Sequence, residues 1–189
     1  MSATGEIIRA YRGFSASMQR QLDSRPGEER VFAYLVMALL IFFVARAPEL
    51  MQLSAAAATE EISSIALFIT NLVGSFFFAP IMLYGLAALS HIVAKGFKGK
   101  GRFFEARLAL FWSLLVVSPL ALLSTIIQTA LPLEWLSQGL SIAMFLLFAY
   151  VWGSNLSVVE RYKSPVWPSF AIILTALGLI FLFRVLIIG

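Results

Sequence analysis

The chain has 189 residues, 60% of them hydrophobic and 13% charged, with a net charge of +4. Soluble domains carry about 45–50% apolar and about 25% charged residues, and so few charges cannot cover this much apolar surface in water. The composition therefore excludes an ordinary water-soluble enzyme, a disordered chain and a secreted disulfide scaffold. Cysteine is absent, which removes disulfides, thiolate metal sites and iron–sulfur clusters. The single histidine, His91, excludes a two-imidazole site, and the single aspartate, Asp23, excludes paired-aspartate chemistry. No cofactor is expected.

The first segment, residues 1–29, carries Ile7, Tyr11, Phe14, Met18 and Leu22 at spacings of three and four, one face of a helix. Arg9, Arg12 and Arg20 lie off that stripe. A basic amphipathic helix of this kind lies in the membrane interface with its arginines toward anionic lipid headgroups; the alternative is a tail helix packed on the protein's own loops. Asp23 to Gly27 break the helix. The apolar run that follows starts only at residue 31, behind a charged leader, so it reads as a span and not as a cleaved signal peptide.

Residues 30–189 form the membrane domain. A spanning helix needs about 20 mainly apolar residues, because about 30 Å of hydrocarbon is crossed at about 1.5 Å per residue. Charges delimit five such stretches, and they predict an all-α polytopic protein with spans at about 30–48, 65–94, 107–131, 135–158 and 166–187. Trp112, Trp135, Trp152 and Trp167 fall near span ends, as interfacial aromatics do. Lysine and arginine gather in residues 1–30, in the loop Lys95 to Arg107, and at Arg161 and Lys163, with few on the other side. This places the N-terminus in the cytoplasm and the C-terminus on the far side of the membrane.

No span carries a charge near its centre, although coupled pumps keep one there. His91, four residues before Lys95, reads as an interfacial hydrogen-bonding residue. Asn71, Gln128 and Asn155 read as groups that bond across helices. Pro80 and Pro119 interrupt neighbouring spans at similar expected depth, with Tyr84 one turn from the first and Ser118 placed to satisfy a freed carbonyl. Paired breaks can mark a transport site, so Asn71, Pro80, Tyr84, Ser118, Pro119 and Gln128 form a candidate intramembrane site. The basic, glycine-rich loop Lys95-Gly-Phe-Lys-Gly-Lys-Gly-Arg102 lacks phosphate-loop spacing. It reads as a flexible loop whose Lys95, Lys98, Lys100 and Arg102 touch lipid phosphates. Nucleophile-elbow and metalloprotease motifs are missing.

The stretch Ala79–Leu122 combines a proline-broken span, a short basic loop with glycines, an aromatic re-entry and a second span with a central proline. With the plan of an N-terminal segment before five clustered spans, it resembles bacterial members of the Yip family (Ypt/Rab-interacting proteins). For the eukaryotic members the resemblance implies small-GTPase binding and roles in membrane shape. The N-terminal segment here lacks that family's Asp-Leu-Tyr-Gly-Pro-type motif, so GTPase binding is not carried over. The expected function is that of a non-enzymatic membrane organiser, or a structural or accessory subunit of a larger membrane-protein complex. It involves anionic lipids and no nucleic acid. The alternative is a small transporter, channel or lipid-handling protein using the two kinks.

Overall fold

A computed structural model describes residues 3–57, 63–164 and 166–175. The described residues form seven helices: α1 (Ala3–Ala10), α2 (Phe14–Asp23), α3 (Glu28–Ala56), α4 (Ser64–Gly96), α5 (Phe103–Ala130), α6 (Glu134–Val159) and α7 (Val166–Thr175). Four of them, α3 to α6, are long and apolar enough to cross a membrane. α7 covers the first ten residues of the fifth expected span. Residues 176–187 of that span lie outside the described residues.

Helix α5 is the hub. It packs against α3, α4 and α6, and it is apolar all round, as a helix surrounded by others must be. Leu108, Ala109, Leu110, Phe111, Leu115 and Val116 are all fully or almost fully buried. α4 lies at the outside and buries little beyond Ala87 and Ala94. Its Ile65, Phe77, Phe78, Ile81, Met82 and Ile92 are exposed, as lipid-facing residues would be.

Several helices run past the charges that delimit the apolar runs. α3 continues from 48 to Ala56 through Pro48. Arg46 and Glu49 pair with each other on its surface at 3.3 Å, so they end the hydrophobic stretch without ending the helix. α5 starts at Phe103, four residues before Arg107, because the Glu105 carboxylate accepts the Arg102 backbone N–H at 2.9 Å and caps the first turn. At Pro119 the carbonyl left without its usual donor is that of Leu115. Ser118 Oγ donates to it at 3.0 Å, so the kink strands no buried acceptor.

The N-terminal segment corrects the expectation of one interfacial helix. It forms two helices, parted at Gly13, and its stripe faces the bundle. Ala10, Ser17 and Met18 are fully buried. Tyr11 OH donates to the Val116 carbonyl at 2.7 Å, and Trp112 Nε1 to Ser17 Oγ at 3.2 Å. Tyr34 OH donates to Gln21 Oε1 at 2.9 Å, and Phe14 meets the Tyr150 ring edge-on at 6.0 Å. The physical reason is that Ser17 and Gln21 flank Met18 on the inner face. These polar groups find partners on α5 and α3 that a lipid interface would not supply in fixed positions.

Where α6 meets α7 the contact is close. A Cβ at Gly153 would lie 2.5 Å from Ser169 N and 2.6 Å from Ser169 Cα, which is backbone and cannot rotate away. Gly153→Ala is therefore expected to push α7 off α6 and cost about 1–3 kcal/mol. Gly139→Ala, on the same helix with nothing within 4 Å, is expected to be neutral or stabilising by up to about 1 kcal/mol. Thermal unfolding of both variants in one detergent checks the contrast.

Candidate functional site

The ends of α4, α5 and α6 converge at the basic end of the bundle. Glu160 caps α6, and its side chain is wholly buried. Burying a carboxylate is costly unless it is paired and hydrogen-bonded, and here it is both. His91 Nδ1, from the last turns of α4, stands 2.8 Å from Glu160 Oε1. Gly101 N–H donates to Oε2 at 2.9 Å. A Cβ on Gly101 would lie 2.9 Å from the Glu160 Cδ, and one on Gly99 would strike Oε2. The two glycines let the loop backbone close over the carboxylate. Lys98, in the left-handed region at φ 65°, makes the turn. Lys100 N–H donates to the Glu160 carbonyl at 3.2 Å, and Tyr162 OH donates to the Ala94 carbonyl at 2.8 Å. The loop expected to be flexible is thus fastened along its length.

Beside this pair, Arg107 enters from α5. Its guanidinium carbon lies 5.3 Å from the Tyr84 ring centroid, 4.9 Å from that of Phe103 and 5.6 Å from that of Phe104. Its Nη2 pairs with Glu28 at the start of α3. Phe103 also faces His91, with ring centroids 6.3 Å apart. Deeper, Asn155 Nδ2 donates to Ser113 Oγ at 2.8 Å, which joins α6 to α5 as a cross-helix bond should. His91, Glu160 and Arg107 therefore link α3, α4, α5, α6 and the loop through charged or hydrogen-bonded contacts. Chemically the arrangement can hold a proton between imidazole and carboxylate and fix the loop. Among the described residues, no group of three or more His, Asp or Glu could hold a metal ion.

A model of the Yip1 domain matches residues 12–188. The chain belongs to the Yip family. No curated protein and no solved structure matches it.

Within this Yip-family chain the residues around the two prolines do not form one cluster. Tyr84 is level with Phe111, ring centroids 5.1 Å apart, and belongs to the Arg107 cage. Pro80 lies one turn beyond Tyr84, whereas Pro119 lies eight residues beyond Phe111. The two breaks are offset by roughly 6 Å along the bundle. Asn71 donates to the Leu67 carbonyl of its own helix at 2.9 Å and is exposed. Gln128 donates to Ser124 Oγ, also within its helix. Neither bond joins two helices, because each is a one-turn contact that a short amide makes more easily than a reach to a neighbour. Ser118 is spent on Leu115.

The basic residues divide. Arg9 and Arg20 both pair with Glu6, at 3.4 and 3.3 Å. Arg102 has a loose contact with Glu105 at 3.9 Å. Arg12, Lys95, Lys98 and Lys100 are exposed.

Sequence reading missed Glu160 as a site residue and took Arg107 for a span edge. A usable signal was present: a histidine one turn before a basic loop whose glycines alternate with lysines, and an acid closing the span that returns to the same face.

Tyr162 supplies a pH test of the fastened loop. Burial, aided by the negative charge of Glu160, raises its pKa above the usual 10. Burial raises that of Tyr11 as well. Both groups are neutral in the folded state, so their contribution is complete below about pH 10 and is lost as pH rises through the raised folded-state values. The melting midpoint should fall steeply above about pH 10. The slope should flatten in Tyr11→Phe with Tyr162→Phe, at a neutral-pH cost of about 0.5–1.5 kcal/mol per lost hydrogen bond.

Proposed function

We propose that this Yip-family protein is a non-enzymatic integral protein of a bacterial inner membrane, acting as a membrane-organising, structural or accessory subunit. The observation that carries the reading is how its buried and half-buried ionisable groups are used. Glu160, His91 and Arg107 each turn toward another helix or the loop, which is how a scaffold spends charge. Catalytic groups instead keep a face toward a substrate. The α2–α3 turn, the α4–α5 loop and the residues after α6 meet at one end, as the contacts of Glu28, Lys100 and Tyr162 require. Their lysines and arginines favour a cytoplasmic placement of that end, with the C-terminus periplasmic. The exposed Arg12, Lys95, Lys98, Lys100 and Arg102, with Arg9 and Arg20 beside Glu6, then face anionic headgroups. A larger membrane-protein complex is the expected setting.

Mass spectrometry of the material retained after gentle solubilisation tests the reading. Recovery of a stoichiometric protein partner supports it, and a monodisperse monomer with no retained protein overturns it. Reporters fused after Gly5 and after Gly189 test the orientation, which fails if both report the same side.

A further inference from the structure

A half-open cleft of about 520 Å³ lies between the α2–α3 turn and the first turns of α5. That volume falls within the range of about 300–1,000 Å³ typical of small-molecule sites. Its walls are Leu22, Arg25 and Pro26 on one side and Arg102, Phe104, Glu105 and Leu108 on the other. Two guanidinium groups thus stand against one carboxylate, which accepts the Arg102 backbone N–H at 2.9 Å and lies 3.9 Å from the Arg102 Nε, a loose contact that a phosphate would displace. Arg25 is exposed, and its backbone takes the left-handed conformation at φ 45°. Leu22, Phe104 and Leu108 supply apolar wall. The cleft opens at the end of the bundle where the basic segments gather, so an amphiphile could enter it from the membrane surface.

We propose that this cleft binds a phosphate group, presented by an anionic phospholipid, between Arg25 and Arg102. Planar guanidinium groups bind phosphate oxygens in paired, charge-assisted hydrogen bonds. The apolar wall of Leu22, Phe104 and Leu108 accepts the glycerol and first methylenes of an acyl chain. The carboxylate of Glu105 tightens the choice. It repels a doubly charged phosphate monoester more than the singly charged diester of a phosphatidylglycerol headgroup. This site is distinct from diffuse attraction of the basic surface to the membrane, and it stands whether or not the protein is a subunit of a complex.

The test uses the full chain in a neutral detergent and titrates dihexanoyl phosphatidylglycerol, dihexanoyl phosphatidylcholine and inorganic phosphate, read by native mass spectrometry and by the melting midpoint. Saturable binding of phosphatidylglycerol is expected, weakened by about tenfold or more in R25Q with R102Q. A control, R161Q with K163Q, removes the same charge from exposed positions at the same end and should bind within about twofold of the parent. Phosphatidylcholine, whose ammonium meets the arginines, should bind more weakly. Inorganic phosphate binding as tightly as the lipid, with the same loss in R25Q with R102Q, keeps the phosphate site and reassigns its source to the free anion. Equal weakening in both double variants, or no saturable binding of any of the three, overturns the proposal. Unchanged circular dichroism in R25Q with R102Q separates loss of the site from loss of the fold.

Discussion

Glu160→Ala is expected to cost about 3–5 kcal/mol, one of the two largest losses from a single substitution in this protein. The side chain is wholly buried, and three features depend on it. Gly101 N–H loses its acceptor, His91 Nδ1 loses its partner, and the space that Gly99 and Gly101 leave for the carboxylate becomes a void. Each orphaned buried polar group costs about 1–3 kcal/mol. Glu160→Gln is the informative companion. Its amide oxygen can still accept from Gly101, and His91 can present whichever tautomer the amide nitrogen requires. The expected loss is then about 1–2 kcal/mol, that of exchanging a charged for a neutral hydrogen bond. A double-mutant cycle with His91→Ala should give a coupling of about 0.5–3 kcal/mol. Thermal unfolding in detergent measures all three. A loss below about 1 kcal/mol for Glu160→Ala would mean that the loop is not fastened through this carboxylate.

The same residue marks where a sequence can and cannot be read. The spans were legible because hydrophobic length is a local property, and four of the five expected helices stand within a few residues of the predicted limits or extend beyond them. The extensions have local causes, the Glu105 cap at the start of α5 among them. A charge ends an apolar run, but it does not end a helix when a neighbour one turn away neutralises it, as at Arg46 and Glu49. Ser118 was legible for a similar reason, since its partner Leu115 is three residues away. His91 and Glu160 are 69 residues apart, and nothing periodic connects them. Each sits at a span end, where a polar side chain is as easily solvated as buried, so pairing emerges only because α4 and α6, both packed on α5, run in the same direction and end beside the loop. Arg107 was hidden in the same way. A basic residue at a boundary satisfies the positive-inside pattern whether it faces water or three aromatic rings. The N-terminal stripe gave the helix face correctly but not what the face meets. Amphipathicity alone does not distinguish a lipid surface from the side of a helical bundle.

Trp112→Ala should match Glu160→Ala in magnitude, at about 3–5 kcal/mol, by a different route. Trp112 is 1% exposed and is the largest wholly buried side chain among the described residues, placed on α5 where α2, α3 and α5 meet. Its ring lies 5.1 Å from that of Tyr34 on α3, and its indole N–H donates to Ser17 on α2. Truncation opens a cavity in the hub and leaves Ser17 without a donor. It also loosens the seat of Met18 and so the attachment of the N-terminal segment. Trp112→Phe separates these effects. It keeps most of the volume and the ring contact but removes the N–H, so about 1 kcal/mol should be lost. Trp135→Ala, 71% exposed at the start of α6, should stay within about 0.5 kcal/mol. Limited trypsin digestion adds a local readout, because Arg9, Arg12, Arg20 and Arg25 all lie in or beside α1 and α2. Cleavage there should accelerate in Trp112→Ala well below its melting temperature, while the α4–α5 loop, held by Glu160, keeps its parental rate. Equal acceleration at both places would show that Trp112 supports the whole bundle and not the docking of its N-terminal helices.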